Sequence, residues 1–322
     1  MNVARALGNA GKKVSKALHQ PTVYRSGNMF LNRLGLQSVR MLLKTVQYGL
    51  KPAPRTTNYA EYKAKLDTDG IVVIENFLPQ NVFSSILAEF NQARKESNGS
   101  GIRFVSSGGC DNWAAVFAED DQRFAAVNSA IRNHPLISEL VGHICKTPVD
   151  YFPDSMSFLE QSLSEGAAIA IDGTTFLHAN VHYPTCKVVM YMTDVGKGDA
   201  PFVFCTGSHR MSAARLLVEK EMAISLGKLK PGEATNFDLR IFDRTPELTQ
   251  DQMQRMGLRP TPVYAPKNTL IIANHCGFHS RGEFVGGRRR VTLRMSFRFM
   301  DAPRYKLRKL LDPVYKLGRR LK

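Results

Sequence analysis

The spacing of apolar residues divides the chain into a mainly helical part and a later part built from short strands. Residues 59–66, 81–96 and 113–146 carry apolar positions at helical spacing, which predicts three helical segments. The β-branched run at 70–74 predicts a buried strand among them. After Asp154 the apolar runs become short and are separated by Gly, Pro and Asp, which is typical of strands joined by turns.

The predicted strands of this later part are residues 167–171, 174–180, 187–193, 201–205, 261–264, 268–273 and 290–300. Helices first and many short strands afterwards predict an α+β domain whose core is an antiparallel sandwich or barrel. Residues 211–260 interrupt the strands with a helical, charged insertion. Insertions of this length more often cover a binding mouth than add to a core, so we expect a lid.

The composition is that of a globular protein. Of the 322 residues, 43% are hydrophobic and 22% are charged, which is enough to bury a full core. A proline-rich, polar stretch at 51–58 predicts a leader at 1–58, one main domain at 59–302 and a tail at 303–322. The five cysteines are odd in number and have no close-pair spacing, which disfavours disulfides and zinc and favours a reducing, cytoplasmic setting.

The net charge of +16 belongs to the two ends of the chain. Residues 1–60 contain ten Lys or Arg and no acid, and residues 303–322 contain eight against Asp312 alone. The central residues 61–302 are therefore nearly neutral. Because the ends lack interleaved aromatic residues and a groove-reading module, nucleic acid is disfavoured as a partner.

Both ends also carry apolar residues at helical spacing: Val3, Leu7, Val14, Leu18, Phe30, Leu34, Leu42, Val46, Leu50, Leu307, Leu310, Leu311, Val314 and Leu317. Basic amphipathic helices suit an anionic membrane surface, where each Lys or Arg near the headgroups contributes about 1 kcal/mol. The alternatives are that they pack on the main domain, or that the acid-free start is a transit peptide. No apolar run approaches the roughly 18 residues of a spanning helix. The expected location is cytoplasmic, or peripheral to the inner face of a membrane.

Two histidines and an arginine stand at the ends of predicted strands. His178 and Asn180 close one strand, His279 follows another much later in the chain, and Arg290 opens the last strand. Two imidazoles from different strands together with one carboxylate form the facial triad that holds non-haem Fe(II) and leaves positions open for oxygen and a co-substrate.

Several motifs occur in order around these residues: Leu66-Asp-Thr-Asp-Gly-Ile-Val-Val-Ile-Glu-Asn-Phe-Leu-Pro79, Leu177-His-Ala-Asn-Val-His-Tyr-Pro-Thr-Cys-Lys187, Thr206-Gly-Ser-His-Arg210, Asn268-Thr-Leu-Ile-Ile-Ala273 and Gly277-Phe-His-Ser-Arg-Gly282. With them, residues 60–300 resemble the phytanoyl-CoA dioxygenase family of Fe(II)- and 2-oxoglutarate-dependent oxygenases. The resemblance implies a double-stranded β-helix, or jelly-roll, barrel with flanking helices. It also implies that His178, His279 and the residue at position 180 bind iron, and that Arg290 binds the distal carboxylate of 2-oxoglutarate.

The residue types around Arg290 suit a carboxylate independently of the resemblance. A guanidinium matches a carboxylate with a planar fork, and Thr292 lies on the same strand face, where its hydroxyl can donate. Arg289 has the opposite strand parity, and Arg288 is expected in the preceding turn. Lys187 would enter the same barrel and contact the co-substrate, or would be solvated.

Position 180 departs from the family pattern. Asn180 is nearly isosteric with Asp but neutral, so it gives the dication no anionic ligand and iron affinity should fall sharply. One interpretation is that His182 or His275 completes a three-histidine site. Another is that an acid such as Asp172 or Glu283 supplies the ligand. A third is that the site is degenerate and these histidines are structural.

Two functions follow from these interpretations. An oxygenase would hydroxylate an unactivated C–H bond of a small molecule, a lipid or a lipid-linked sugar, using Fe(II) and 2-oxoglutarate. A catalytically degenerate relative would keep the barrel as a binding or scaffold module at a membrane surface.

Overall fold

A computed structural model describes residues 29–51, 57–96, 102–105, 110–118, 120–132, 134–146, 155–167, 174–179, 185–228 and 248–297. The predicted site residues Asn180 and His182 lie outside these ranges, as do most of the predicted strand at 167–171 and the whole tail at 303–322. The predicted domain limits and the predicted lid at 211–260 stay predictions.

The described helices are α1 (Met29–Arg33), α2 (Leu36–Gly49), α3 (Ala60–Thr68), α4 (Gln80–Lys95), α5 (Ala125–Val127), α6 (Pro135–Cys145), α7 (Ala213–Lys228) and α8 (Gln250–Arg255). A 3-10 turn (Gln122–Phe124) precedes α5 and a π-helical turn (Asn128–Arg132) follows it. The residues at the N-termini of two helices explain where those helices begin. Pro135 opens α6, where the missing N–H costs nothing, and Thr249 and Gln252 form a capping box at α8.

The described strands are β1 (Ile71–Ile74), β2 (Ile102–Val105), β3 (Asp111–Phe117), β4 (Ser155–Ser162), β5 (Cys186–Tyr191), β6 (Phe202–Cys205), β7 (Pro260–Val263), β8 (Thr269–Asn274), β9 (His279–Arg281) and β10 (Arg289–Phe297). They form two antiparallel sheets, one with the order β1-β8-β5-β10-β4-β3-β2 and one with the order β7-β6-β9. Neighbouring strands often come from distant parts of the chain, as in a jelly roll. The predicted α+β, double-stranded β-helix fold is confirmed.

Alternate residues of the larger sheet belong to two different cores. On β5, Val188 and Met190 join a core shared with the helices, whereas Val189 and Tyr191 pack in the space between the two sheets. Phe202 on β6 faces them from the smaller sheet. We call this space between the two sheets the barrel interior. Residues of β9 and β10 also reach it.

Helices α4 and α6 cover the outer face of the larger sheet. Helix α4 buries Phe83, Ile86 and Phe90 there, and α6 buries Ile137 and Leu140. Complete burial of each such side chain is worth about 1.5–3 kcal/mol, so this core holds the sheet while the barrel interior remains available for polar groups.

Two predicted segments differ from the structure. The helical prediction for 113–146 is wrong at its start, because β3 occupies Asp111–Phe117 and pairs with β4. The predicted strand at 174–180 is, over residues 174–179, a turn with a single bridge at His178. The predicted helix at 81–96 and the strand at 70–74 are confirmed within one residue at each end.

Candidate active site

His178 and His279 face each other across an isolated antiparallel bridge. The N–H of each residue donates to the carbonyl of the other, at 3.0 and 2.9 Å. Residues paired in this way send their side chains to the same face of the ladder, and the two ring centroids are 4.7 Å apart. The fold thus joins two imidazoles that are far apart in the sequence.

Backbone carbonyls fix the orientation of both rings. Nδ1 of His178 lies 2.7 Å from the carbonyl oxygen of Phe176, and Nδ1 of His279 lies 2.9 Å from that of Gly277. Because a carbonyl only accepts, Nδ1 carries the proton in each neutral ring and Nε2 carries the lone pair. Hydrogen bonds of this kind orient metal-binding histidines in proteins.

The ring of His279 is suited to bind a cation. The residue is 2% exposed, and its Nε2 is buried without a hydrogen-bond partner among the described residues. Burial, followed by the neighbouring His275, His178 and Lys187, holds the pKa of His279 well below its ordinary value. A neutral imidazole with a buried lone pair is the form that binds a metal, so His279, with the ring of His178 beside it, fits a divalent metal ion.

A glycine allows the turn before His279 to lie close to β6. A Cβ atom at Gly277 would lie 2.5 Å from Cζ of Phe204, much closer than side chains tolerate. The next residue is also held, because the N–H of Phe278 donates to Oγ of Ser208 at 2.8 Å. A larger residue at position 277 would therefore displace the carbonyl that orients His279.

The third metal ligand is not identified by the described residues. The ring of His275 lies 4.5 Å from that of His279, centroid to centroid. However, no three His, Cys, Asp or Glu side chains within the described ranges are grouped as a metal site would require. With Asn180 and His182 outside those ranges, all three interpretations of the third position stay predictions.

The strand β10 brings basic residues into the barrel interior. Val291 and Leu293 belong to the core shared with the helices, so Arg290, Thr292 and Arg294 face the opposite side, as the strand parity predicted for the first two. Arg290 and Thr292 are both buried. The predicted carboxylate anchor is therefore placed where a ligand between the sheets would meet it.

Neutral acceptors hold the two arginines in place. The terminal nitrogens of Arg290 donate to the carbonyl of Ala200 and to Oε1 of Gln161. Arg294 donates to Oγ1 of Thr292 at 3.1 Å and to the same Gln161 oxygen at 3.4 Å. Burial and the charges of nearby arginines lower the pKa of Arg294 to about 9. The positive charges lie close enough together to destabilise one another.

Lys187 extends this basic surface towards the histidines. Its Nζ lies 5.6 Å from the ring centroid of Phe202, whose ring is 5.8 Å from that of His279. Burial, followed by the charges of Arg294 and Arg290, lowers the pKa of Lys187 to about 7. No carboxylate of the described residues forms an ion pair with Lys187 or Arg294. The barrel interior is thus complementary to an anion.

Comparison with known families agrees with this geometry. The sequence profile of the family described as phytanoyl-CoA dioxygenase (PhyH) matches residues 66–255, more than half of the chain. The chain belongs to the phytanoyl-CoA dioxygenase family. The matched region of this phytanoyl-CoA dioxygenase family member contains His178 and Lys187 and ends before His279 and Arg290. The second half of the site is therefore defined by the fold.

Several solved structures are similar to this family member at low sequence identity. They include the epimerase SnoN in complex with Fe3+, alpha ketoglutarate and nogalamycin RO (16% identity, 76% of this chain, 83% of that chain, TM-score 0.47). AviO1 from Streptomyces viridochromogenes Tue57 has 15% identity over 78% of this chain and 99% of its own, with a TM-score of 0.48. EctD from S. alaskensis with 2-oxoglutarate and 5-hydroxyectoine has 9% identity over 77% and 79%, with a TM-score of 0.48. No curated protein sequence matches the chain.

The two rival arginines of the sequence analysis lie away from the interior. Nε of Arg289 is 2.9 Å from a carboxylate oxygen of Glu160, and its guanidinium lies 6.0 Å from the ring of Phe90 on the helix side of the sheet. Arg288 has a side chain that is 57% exposed and lies 3.7 Å from Asp199. Both positions agree with the parity argument that favoured Arg290.

Two further basic residues of the interior were missed by sequence reasoning. Arg294 continues the alternation of Arg290 and Thr292 along β10, so extending the parity argument by two residues would have found it. Arg281 stands two residues after His279 on β9 and is buried, with its terminal nitrogen 3.2 Å from Oγ1 of Thr175. The signal in both cases was strand periodicity.

Proposed function

We propose that this member of the phytanoyl-CoA dioxygenase family is an Fe(II)- and 2-oxoglutarate-dependent oxygenase that hydroxylates a small-molecule or lipid-like substrate. The observation that carries the proposal is the position of the His178 and His279 pair beside Lys187, Arg290 and Arg294 in one barrel interior. Neutral imidazoles suit a divalent metal, and clustered cations suit a dicarboxylate.

Each of these residues has a role in the proposal. His178 and His279 would hold iron through their Nε2 atoms, with Asn180 or a substitute completing the set. Arg290 would bind the distal carboxylate of 2-oxoglutarate, with Thr292 beside it. When bound, iron and 2-oxoglutarate supply the oxidising chemistry that inserts one atom of O2 into a C–H bond, with succinate and CO2 as co-products.

Gln161 keeps the basic cluster available to a ligand. Its Nε2 donates to Oδ1 of Asn112 at 2.9 Å, which fixes the amide so that Oε1 accepts from Arg290 and Arg294. A carboxylate in this position would form a buried ion pair and cancel the charge, whereas the amide orients the guanidinium groups and leaves their charge in place. An incoming dicarboxylate therefore meets a preorganised, positively charged site.

A catalytically degenerate relative is the second candidate, and Asn180 is the observation that favours it. A site with two neutral imidazoles and a neutral amide gives the metal no anionic ligand, so iron would bind weakly. In that case the barrel interior would bind an anion without turnover, and the protein would act as a binding or scaffold module.

Iron content and 2-oxoglutarate turnover of three purified proteins separate the two candidates. For an oxygenase, we expect the wild type to convert 2-oxoglutarate to succinate with Fe(II), Asn180→Asp to bind Fe(II) more tightly, and His279→Ala to lose both properties. Asn81→Asp, an exposed change on α4 that adds the same charge, should behave like the wild type. A wild type that neither binds Fe(II) nor consumes 2-oxoglutarate, beside an Asn180→Asp variant that binds iron, would identify the degenerate relative.

A further inference from the structure

The surface of α1 and α2 carries a concentrated apolar patch. Its exposed side chains, called the apolar stripe below, are Phe30, Leu34, Val39, Leu42, Leu43, Val46 and Leu50. Phe30 is 67% exposed and Leu50 is 81% exposed. Seven of the twelve exposed large hydrophobic side chains in the described residues belong to this short segment, so the patch is not the scattered exposure that soluble proteins show.

The opposite face of α2 is packed against the protein and is half polar. Gln37, Arg40 and Lys44 are buried there, together with Leu36, Met41 and Tyr48. A helix on the surface of a globular protein normally buries its apolar face and exposes its polar face. Helix α2 departs from this rule, because it exposes a row of four apolar residues (Val39, Leu42, Leu43 and Val46) while it buries Gln37, Arg40 and Lys44.

Hydrogen bonds to α7 fix this orientation. Nε2 of Gln37 donates to Oε2 of Glu219 at 3.4 Å, and Arg40 donates to Oε1 of Gln37 at 3.3 Å. Oγ of Ser38 donates to the carbonyl of Leu216 at 2.8 Å. Rotating α2 to bury the apolar stripe would break these bonds and leave the buried Glu219 with fewer partners.

The apolar stripe has the dimensions of an interfacial helix face. On α2, the stripe residues recur at the i, i+3, i+4 and i+7 spacing that lines one side of a helix: Val39, Leu42, Leu43 and Val46. No helix among the described residues is long and apolar enough to cross a bilayer. Helices that bind in the plane of a membrane surface present an apolar face of this kind.

Charge distinguishes among the surfaces that could cover the stripe. Residues 1–60 contain ten Lys or Arg and no acid. Covering the stripe with residues 1–28, or with the same helix of a second copy, would bring two acid-free basic segments together. An anionic bilayer instead supplies hydrocarbon for the stripe and opposite charge for the basic residues of this segment that are not buried, such as the exposed Arg33.

We propose that the apolar stripe inserts into the interfacial region of an anionic lipid bilayer and holds the protein at a membrane surface. The ligand is an anionic phospholipid surface rather than a single lipid molecule. This binding does not depend on whether the barrel is catalytic.

Vesicle flotation with the full chain tests the stripe directly. The probes are phosphatidylcholine vesicles with and without phosphatidylglycerol, and the variant is Leu42→Gln with Val46→Gln and Leu50→Gln. We expect the wild type to bind the anionic vesicles and the triple variant to bind about tenfold or more weakly, because three apolar side chains no longer enter the interface. Val116→Gln, which changes an equally exposed residue of β3, should bind like the wild type.

A fluorophore at position 46 shows what contacts the stripe. The five native cysteines are all buried, so Val46→Cys gives a selectively reactive thiol. An environment-sensitive label there should shift to shorter wavelength on addition of anionic vesicles and should report an aqueous setting without them. A label already in an apolar setting without vesicles would overturn the proposal, since the chain itself or a second copy would then cover the stripe.

Three results of the flotation experiment would also overturn the proposal. The first is a wild type that binds neither kind of vesicle. The second is a triple variant that binds anionic vesicles as tightly as the wild type, since the basic ends alone would then suffice. The third is a wild-type dimer that dissociates in the triple variant without any vesicle binding, which would assign the stripe to a second copy.

Discussion

The barrel interior and helix α2 depart from the usual distribution of side chains in opposite directions. The interior places Lys187, Arg290 and Arg294 where apolar residues normally pack, while α2 presents Leu42 and Val46 to the surface. Buried charge and exposed apolar surface both cost free energy in isolation. In the two proposals above, each region has a partner of a different chemical kind, a small anion for the interior and a lipid surface for the apolar stripe.

The difference between the regions lies in what surrounds them. The interior is enclosed by two sheets, so its partner must be small enough to enter and must match fixed donors such as Arg290. The apolar stripe is exposed along the helix, which suits an extended surface rather than a single small molecule. The family match covers residues 66–255 and so includes part of the first region and none of the second.

Loss of one histidine should have the largest effect on the interior. His279→Ala removes a buried Nε2 lone pair and should reduce Fe(II)-dependent consumption of 2-oxoglutarate by more than about 100-fold, the loss that removal of a supporting residue alone can cause. His143→Ala, which removes only a surface contact with Asp67, is the matched control. If the two variants formed succinate at comparable rates, the assignment of His279 to the active site would be wrong.

Removal of the Arg290 guanidinium, which lies on the interior face of β10, should have the second-largest effect. Arg290→Met should weaken 2-oxoglutarate binding by roughly 100-fold, as expected when one member of a buried charged pair is removed. Arg289→Met removes the same charge one residue earlier, on the helix side of the sheet, and should change binding little. Titration calorimetry measures both. If both variants lost the same affinity for 2-oxoglutarate, the overall charge of the protein and not the position of Arg290 would determine binding.

The pH dependence of binding should report Lys187 with a smaller effect. The pKa of Lys187 in the free protein is lowered to about 7, and a bound dianion would raise it, so charge favours binding at low pH. Affinity for 2-oxoglutarate should be constant below about pH 7 and fall by about tenfold per unit as pH rises to the raised pKa. Lys187→Met should bind weakly and without this dependence. An unchanged slope in the variant would assign the titration to another group.

Periodicity predicted part of the interior, because strands place alternate residues on opposite faces. This rule separated Arg290 and Thr292 from Arg289, and it contained Arg294 as well. It failed at β3, where the run Trp113-Ala-Ala-Val-Phe117 has no polar interruption. Periodicity cannot distinguish a strand from a helix in such a run, and pairing with β4 decides the outcome.

The orientation of α2 was beyond sequence reasoning for a different reason. The amphipathic pattern of residues such as Leu42 and Val46 fits a helix that faces either the protein or a membrane. The choice depends on α7, whose Glu219 offers a buried acceptor to Gln37. That contact joins residues that are far apart in the sequence. The local sequence of neither helix predicts it.

A stability comparison of neighbouring residues on α2 should give the sharpest test of its orientation. Met41 is 0% exposed and Leu42 is 46% exposed. Met41→Ala should lower the free energy of unfolding by about 2–5 kcal/mol through cavity formation, whereas Leu42→Ala should change it by less than about 0.5 kcal/mol. Both substitutions keep helix propensity high, so urea denaturation measures packing alone. Equal destabilisation would mean that Leu42 is buried by the chain itself or by a second copy, and the contrast between the two regions would then be lost.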